Sequence, residues 1–190
     1  MINHVYIIAE AGVNHNGRLD LALQLCNAAK DAGADAVKFQ TWKTEKIVTR
    51  NVELAVYQEN NISDKTKSQF KMLKELELSY DNFEVVKNHC DEIGIQFLST
   101  PDEIDSLDFL CNFNLPFIKL GSGDVTNIPF LRLVGSRHID VVLSTGMSYL
   151  GDVEIAYRTL IEAGAKSVSL LHCTTTVSYT HLRAHETSAH

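Results

Sequence analysis

Six short apolar runs divide this chain, and longer stretches with the periodicity of an amphipathic helix lie between them. The runs are residues 5–9, 36–39, 95–98, 117–120, 141–143 and 168–171. The helical stretches are residues 19–32, 65–76, 80–93, 102–113, 128–134 and 151–163. Because the runs are apolar on both faces and bounded by Gly or Pro, they are typical of strands buried in a parallel sheet. The pattern predicts a series of βα units, and this limits the fold more than any other feature of the sequence.

Six βα units in a row favour an incomplete (β/α)8 TIM barrel, which is an α/β fold. No G-x-G-x-x-G turn follows any of the runs, and this argues against a dinucleotide-binding fold. A complete barrel takes about 250 residues, whereas this chain has 190. An open flavodoxin-like sheet is the alternative, although such a sheet usually has about five strands.

Charge and cysteine content narrow the class of protein. The formal net charge is −7 and there is no block of Lys or Arg, so nucleic acid and anionic membranes are poor candidates as partners. The N-terminal apolar run is too short for a signal peptide or a membrane span, which predicts a cytoplasmic protein. The four cysteines form no C-x-x-C pair, and Cys26 and Cys90 fall in helical stretches, where we expect buried thiols.

Polar side chains stand at the C-terminal end of every apolar run. They are Glu10, then Lys38 and Gln40, then Ser99 and Thr100, then Lys119 with Gly121-Ser122-Gly123, then Ser144-Thr145-Gly146, and finally His172 and Cys173. In a parallel barrel these strand ends meet at one mouth, where enzymes with this fold hold their active sites. Ser and Thr also serve as helix N-caps, and a single His is often a hydrogen-bonded core residue, so these alternatives stay open.

Two lysines in this set are hard to explain as structural residues. Lys38 and Lys119 lie inside or directly after apolar strands, where an unpaired charge is costly. Glu10 is one candidate partner, but a phosphate ligand would satisfy both lysines, and we favour the ligand over a purely structural ion pair. The glycines at 121 and 123 allow backbone N–H groups to approach a phosphate closely.

Six sequence blocks span residues 1–175 in a fixed order. They are IAEAGVNHNG (8–17), AGADAVKFQT (32–41), FLSTP (97–101), IKLGSGD (118–124), LSTGM (143–147) and LHCTT (171–175). In order and spacing they resemble the sialic acid synthase family, of the N-acetylneuraminate and legionaminic acid synthase type. Enzymes of this family condense phosphoenolpyruvate with N-acetylmannosamine.

The resemblance implies roles for individual residues. Lys38, Thr100, Lys119, Ser122 and Ser144 are similar to a phosphoenolpyruvate site, with Lys38 and Lys119 also acting in catalysis. Glu10 is similar to the catalytic carboxylate, acting as base, acid or orienting group. Gln40 and Asn61 are similar to residues that contact the sugar. His172 is similar to one of two histidines that hold a divalent metal, Mn²⁺ or Mg²⁺.

The resemblance also implies the reaction. We expect the parent protein to condense phosphoenolpyruvate with N-acetylmannosamine, or a related bacterial N-acetylated hexose, and water, giving a nonulosonic (sialic) acid and phosphate. We expect it to be a homodimer whose only substrates are small molecules. The alternatives are a pseudaminate-type or other phosphoenolpyruvate-dependent aldol synthase, or a chain of this length that folds partly and has no activity.

The last residues depart from this pattern. The run VSYTHLRAHET from residue 177 resembles a translated sequencing adapter, and its His181-x-x-x-His185 spacing is therefore not counted as a metal site. We expect residues 1–176 to be the N-terminal part of a TIM-barrel synthase domain and residues 177–190 to be a non-native tail. The family's C-terminal antifreeze-like (SAF) domain and its second metal histidine are then absent from this chain.

Overall fold

The computed structural model describes residues 4–49 and 68–173. It divides the chain into two compact units, which we call the first unit (Met1–Leu115) and the second unit (Pro116–His190). Asn61, the start of the predicted helix 65–76 and the proposed tail from residue 177 lie outside the described residues.

The first unit contains a three-stranded parallel sheet in the order β1-β2-β3. Its elements are β1 (Ile8–Gly12), α1 (Leu19–Asp31), β2 (Ala36–Thr41), α2 (Thr44–Ile47), α3 (Gln69–Leu76), α4 (Tyr80–Ile93), β3 (Gln96–Pro101) and α5 (Ile104–Cys111). Glu10 lies opposite Lys38, and Gln40 lies opposite Thr100. Candidate side chains from three strands are therefore neighbours on one sheet.

The second unit repeats this arrangement with a parallel sheet in the order β4-β5-β6. Its elements are β4 (Ile118–Leu120), a 3₁₀ turn (Ser122–Asp124), α6 (Ile128–Gly135), β5 (Asp140–Ser144), α7 (Leu150–Ala163) and β6 (Ser167–Leu171). Lys119 lies opposite Val142, so Ser144 lies two residues further along the neighbouring strand. All six predicted strands are present, and both sheets are parallel as predicted.

Local capping explains why the helix boundaries follow the sequence so closely. The Ser79 side chain accepts a hydrogen bond from the Asn82 N–H and starts α4, and Gly94 ends it in the left-handed conformation. The predicted span 80–93 is therefore confirmed at both ends. At α6 the Asn127 side chain accepts from the Phe130 N–H, and Pro129 occupies the first turn.

The prediction for the first strand was wrong by three residues. We expected a strand at residues 5–9 ending at Glu10, but β1 spans Ile8–Gly12 and Glu10 lies inside it. Pairing with β2 begins where Ile8 lies opposite Ala36, and the preceding Val5 and Tyr6 are exposed. The sequence also gave no signal for α2, which has only four residues.

The core of the first unit is built around three phenylalanines. Phe39 on β2, Phe97 on β3 and Phe83 on α4 are almost fully buried, and their ring centroids lie 5.9–6.3 Å apart. Because successive strand residues face opposite sides of a sheet, Phe39 faces α4 and the adjacent Lys38 faces away from it. None of the helices in the described parts of the chain is long and apolar enough to cross a membrane.

Candidate active site

Lys38 is the centre of the polar cluster in the first unit. Its side chain is only 9% exposed, and its Nζ lies 3.0 Å from Oε1 and 2.8 Å from Oε2 of Glu10. The carboxylate is 53% exposed, so solvent or a ligand can reach it from the open side. The ion pair that the sequence left open as an alternative is therefore formed at this lysine.

Thr100 supplies the second contact of this lysine. Lys38 Nζ donates to Thr100 Oγ1 at 3.3 Å, and both residues are buried. Gln40 lies two residues beyond Lys38 on the same face of β2 and is partly exposed. The structure thus brings Glu10, Lys38 and Thr100 into contact and places Gln40 beside them.

β1 contains an irregularity directly after Glu10. The register with β2 shifts between Glu10 and Gly12, which leaves Ala11 as an extra residue in the strand. Gly12 has a φ of +52°, and a Cβ there would lie 3.2 Å from Glu10 Oε1. A glycine is therefore favoured at this position both by its backbone conformation and by the nearby carboxylate.

Lys119 is the corresponding residue of the second unit. It is 7% exposed, and its Nζ donates to Ser144 Oγ and to the Leu120 carbonyl oxygen, each at 2.6 Å. In the strand register, Ser144 lies two residues beyond the residue opposite Lys119, just as Thr100 lies two residues beyond the residue opposite Lys38. Each unit therefore carries the same lysine–hydroxyl pair on adjacent parallel strands.

Hydrogen-bond donors converge around Ser122 at the strand ends of the second unit. Ser122 Oγ accepts from the Gly146 N–H at 2.9 Å and lies 3.5 Å from Cys173 Sγ. Burial alone would raise the pKa of Cys173, but hydrogen bonds from Ser122, Ser144 and the backbone of Thr145 and Gly146 lower it overall. Groups that stabilise a thiolate here are equally suited to another anion.

Asp124 closes the 3₁₀ turn that follows Lys119. Burial raises the pKa of its carboxyl group, while a hydrogen bond with Asn127, the Gly121 backbone and the charge of Lys119 act in the opposite direction. Burial thus makes the charged form of this carboxyl group less favourable than it is in solvent.

His172 follows β6 and is exposed at a cavity of about 680 Å³ in the second unit. Thr145, Tyr149, Leu150 and Cys173 also line this cavity. The imidazole is accessible to a metal, but it is a single donor. Across residues 4–49 and 68–173, no group of three or more His, Cys, Asp or Glu side chains is arranged to hold a metal ion. The described residues therefore do not by themselves form a metal centre.

The sequence placed Cys173 and Gly146 at the strand ends but assigned neither of them a role beside Ser122. Cys173 follows His172 directly, and Gly146 follows Ser144 by two residues, so both lie within the polar strand ends already noted. Their contacts with Ser122 depend on a turn geometry that side-chain patterns do not reveal. His15, in the loop that follows β1, is fully buried and its ring lies against Phe39.

The two units together define a class of protein. Each has parallel βα architecture with a buried lysine, a neighbouring hydroxyl and further polar groups at the carboxyl ends of its strands. Such an arrangement binds and stabilises small anions, and carboxyl ends of parallel strands are where βα enzymes place their chemistry. These features are typical of βα proteins that bind an anionic small molecule at the carboxyl ends of their strands.

Sequence comparison identifies the family within that class. The chain belongs to the NeuB family, whose model matches residues 25–183. It is 44% identical over 173 residues to the N,N'-diacetyllegionaminic acid synthase of Legionella pneumophila. That match covers 89% of this chain and 48% of the relative, so the chain spans about half the length of the curated relative.

Solved structures agree with the fold prediction. The N-acetylneuraminic acid synthetase of Leptospira borgpetersenii, solved in complex with citrate, is similar with a TM-score of 0.75 and 29% identity, over 92% of this chain and 55% of that one. A truncated 3-deoxy-D-arabino-heptulosonate 7-phosphate synthase from Thermotoga maritima has a TM-score of 0.61 at 14% identity, over 92% and 54%, and supports the fold alone. The chain therefore has the fold of an incomplete TIM barrel.

Proposed function

We propose that this chain carries the phosphoenolpyruvate-binding part of a nonulosonic acid synthase. The parent enzyme would join C3 of phosphoenolpyruvate to the aldehyde carbon of an N-acetylated hexose, add water, and release phosphate and a nonulosonic acid. The observation that carries this proposal is the repeated lysine–hydroxyl pair, Lys38 with Thr100 and Lys119 with Ser144. Membership of the NeuB family supports the same reaction.

Each cluster has a chemical role in this proposal. Lys119, Ser144 and Ser122 bind the anionic groups of phosphoenolpyruvate and stabilise charge that shifts during the reaction. Lys38 holds Glu10 in place, and Glu10 orients or deprotonates the water that captures the oxocarbenium-like carbon. Gln40, beside Lys38, contacts the sugar, together with Asn61 outside the described residues.

The proposal includes a divalent metal, because NeuB-family synthases generally depend on one. His172 would be one ligand, and a second histidine from the longer parent protein would complete the pair. When bound, Mn²⁺ or Mg²⁺ would supply Lewis-acid polarisation of the acceptor aldehyde.

The reaction is tested with a chain that continues this sequence to the length of its relatives. The protein is incubated with phosphoenolpyruvate, Mn²⁺ and either N-acetylmannosamine or a related bacterial N-acetylated hexose. We expect phosphate release matched one-to-one by a nonulosonic acid, identified by mass spectrometry. Absence of phosphate release with every such sugar would overturn the proposal.

Lysine variants test the observation on which the proposal rests. Lys38→Met and Lys119→Met should each lower kcat/KM by roughly 100-fold, because a charge preorganised for the reacting groups is lost. Lys166→Met is the matched control, since Lys166 is exposed and precedes β6 at the end opposite the polar cluster. Equal effects at all three positions would contradict the assignment.

The proposal also covers the acceptor sugar, the cellular location and the oligomeric state. The sequence GSGD at 121–124, followed by TNIP at 126–129, and the similarity to a legionaminic acid synthase support a neuraminate- or legionaminate-type acceptor. We further propose a cytoplasmic homodimer that binds small molecules and neither nucleic acid nor membrane. The net charge of −7 supports the last point.

A further inference from the structure

Two cysteines that take no part in the candidate site lie in contact inside the first unit. Cys26 is on α1 and Cys90 is on α4, and both are fully buried with free thiols. Their Sγ atoms are 3.4 Å apart, although 64 residues separate them in the sequence. The sequence predicted buried thiols at both positions but gave no indication that they meet.

Polar contacts beside the thiols hold the two helices in this register. The His89 Nε2 and Asn27 Oδ1 atoms, one residue along from each cysteine, are 2.8 Å apart. Lys30, one helical turn beyond Cys26, donates through Nζ to the Gly94 carbonyl oxygen at 2.8 Å. Because these two hydrogen bonds connect α1 to the end of α4, they hold the two thiols in contact.

The geometry requires only a small movement for a covalent bond. A disulfide has an S–S length of about 2.05 Å, so the two sulfurs need to approach by about 1.4 Å. Side-chain torsions on two packed helices can provide a shift of this size. Both cysteines lie within regular helices, and neither is a hydrogen-bond partner of Lys38.

We propose that Cys26 and Cys90 form a reversible disulfide when the protein meets peroxide, and that this bond links α1 to α4. Hydrogen peroxide is small and uncharged, so it can reach a buried pair of thiols. The Cys26 thiolate attacks one peroxide oxygen, giving a sulfenic acid and hydroxide. The Cys90 sulfur then attacks the sulfenic sulfur, releasing water. In total, two thiols and one peroxide give one disulfide and two waters.

The interaction between the thiols favours this order of events. Cys90 S–H donates to Cys26 Sγ, and this hydrogen bond lowers the pKa of Cys26 while raising that of Cys90. Since the thiolate is the nucleophile, Cys26 reacts first and Cys90 resolves the sulfenic acid. The bond would close a loop that contains β2, and so would restrain the unfolded chain across much of the first unit.

The test uses the 190-residue chain with all thiols reduced. After exposure to hydrogen peroxide, remaining thiols are blocked with N-ethylmaleimide and the protein is digested without reduction. Trypsin alone leaves Cys90 and Cys111 on one peptide, so a Glu-specific protease is added to cut after Glu92 and Glu103. We expect one cross-linked product that joins the Cys26 and Cys90 peptides, lighter than their sum by two hydrogens and removed by dithiothreitol.

Variants and an unfolded sample make the outcome decisive. Cys26→Ala and Cys90→Ala should abolish the product, whereas Cys111→Ser should leave it unchanged. The oxidised wild type should melt several degrees above the reduced protein. If oxidation in buffer gives the same mixture of pairings as oxidation in urea, or modifies Cys111 and Cys173 while Cys26 and Cys90 stay reduced, the proposal is overturned. This comparison needs only the wild-type chain.

Discussion

At the scale of single residues, the ion pair between Glu10 and Lys38 is asymmetric. The lysine side chain is 9% exposed and the glutamate side chain 53% exposed. Removing the exposed partner leaves a buried charge, while removing the buried partner leaves a carboxylate that water can solvate. The two deletions should therefore have different effects on stability.

We expect Glu10→Gln to lower the free energy of unfolding by about 2 kcal/mol, a value reduced from that of a fully buried pair because Glu10 is half exposed. Lys38→Met should cost less than about 1 kcal/mol, because an apolar side chain of similar length fills the same buried space. Urea unfolding of both variants and of the double variant measures the difference. A larger loss for Lys38→Met would contradict the asymmetry.

His15 provides a second prediction at this scale. The residue is fully buried, its Nδ1 accepts from the Gly17 N–H at 3.1 Å, and its Nε2 has no hydrogen-bond partner. Burial lowers the pKa of His15, so the folded protein favours the neutral ring. The unfolded chain, with a pKa of about 6.5, binds a proton more readily. The contribution of neutral His15 to the free energy of unfolding is therefore complete above about pH 6.5 and is lost as the pH falls below that value.

The measurement is the urea midpoint between pH 8 and pH 5. His15→Gln cannot gain this proton, so its midpoint should decline less steeply below about pH 6.5 than that of the wild type. His138→Gln is the control for replacing an exposed histidine with glutamine. Identical slopes for wild type and His15→Gln would show that His15 does not carry the effect.

Residue types predicted much of the candidate site, but not its contacts. A charge inside an apolar strand is costly, so Lys38 and Lys119 were visible from the sequence alone. The register that places Thr100 beside Lys38 and Ser144 beside Lys119 comes from strand pairing between distant segments. The burial of His15 depends in the same way on the packing of Phe39, which local sequence does not encode.

At the scale of elements, prediction succeeded where capping residues mark the boundary. Ser79 and Gly94 delimit α4, and both act through local hydrogen bonds and backbone conformation. The start of β1 was missed because Val5, Tyr6 and Ile7 are apolar yet exposed. Which of two adjacent apolar segments joins a sheet is decided by its partner strand, and apolar content does not reveal it.

The contact between α6 and α7 gives the element-scale prediction. A Cβ at Gly135 would lie 2.6 Å from the Leu160 carbonyl oxygen and 2.7 Å from Ala163 Cβ, so Gly135→Ala forces the helices apart. We expect a loss of about 2–3 kcal/mol in the free energy of unfolding. Gly151→Ala is the matched control, since a Cβ there meets nothing within 4 Å and alanine favours the helix by up to about 1 kcal/mol. Equal destabilisation by both substitutions would contradict close packing at Gly135.

At the scale of the whole molecule, β6 is an edge strand of the sheet in the second unit. In the part of the chain that the structure describes, β6 pairs with β5 alone, and Leu170 and Leu171 are 43% and 39% exposed. Such an edge offers unpaired backbone groups and apolar side chains to a second copy. We therefore expect the 190-residue chain to self-associate as its concentration rises.

A charge on this edge should reduce that association, because pairing two copies would then bury or oppose the charges. We expect Leu170→Lys to shift the mean mass at a given concentration towards the 21.2 kDa of one chain, as measured by sedimentation velocity. Val85→Lys is the matched control, because Val85 is 44% exposed but lies on α4 of the first unit. If Val85→Lys lowers the mass as much as Leu170→Lys does, general surface charge is responsible. If the wild type stays monomeric at high concentration, the β6 edge is not an association surface.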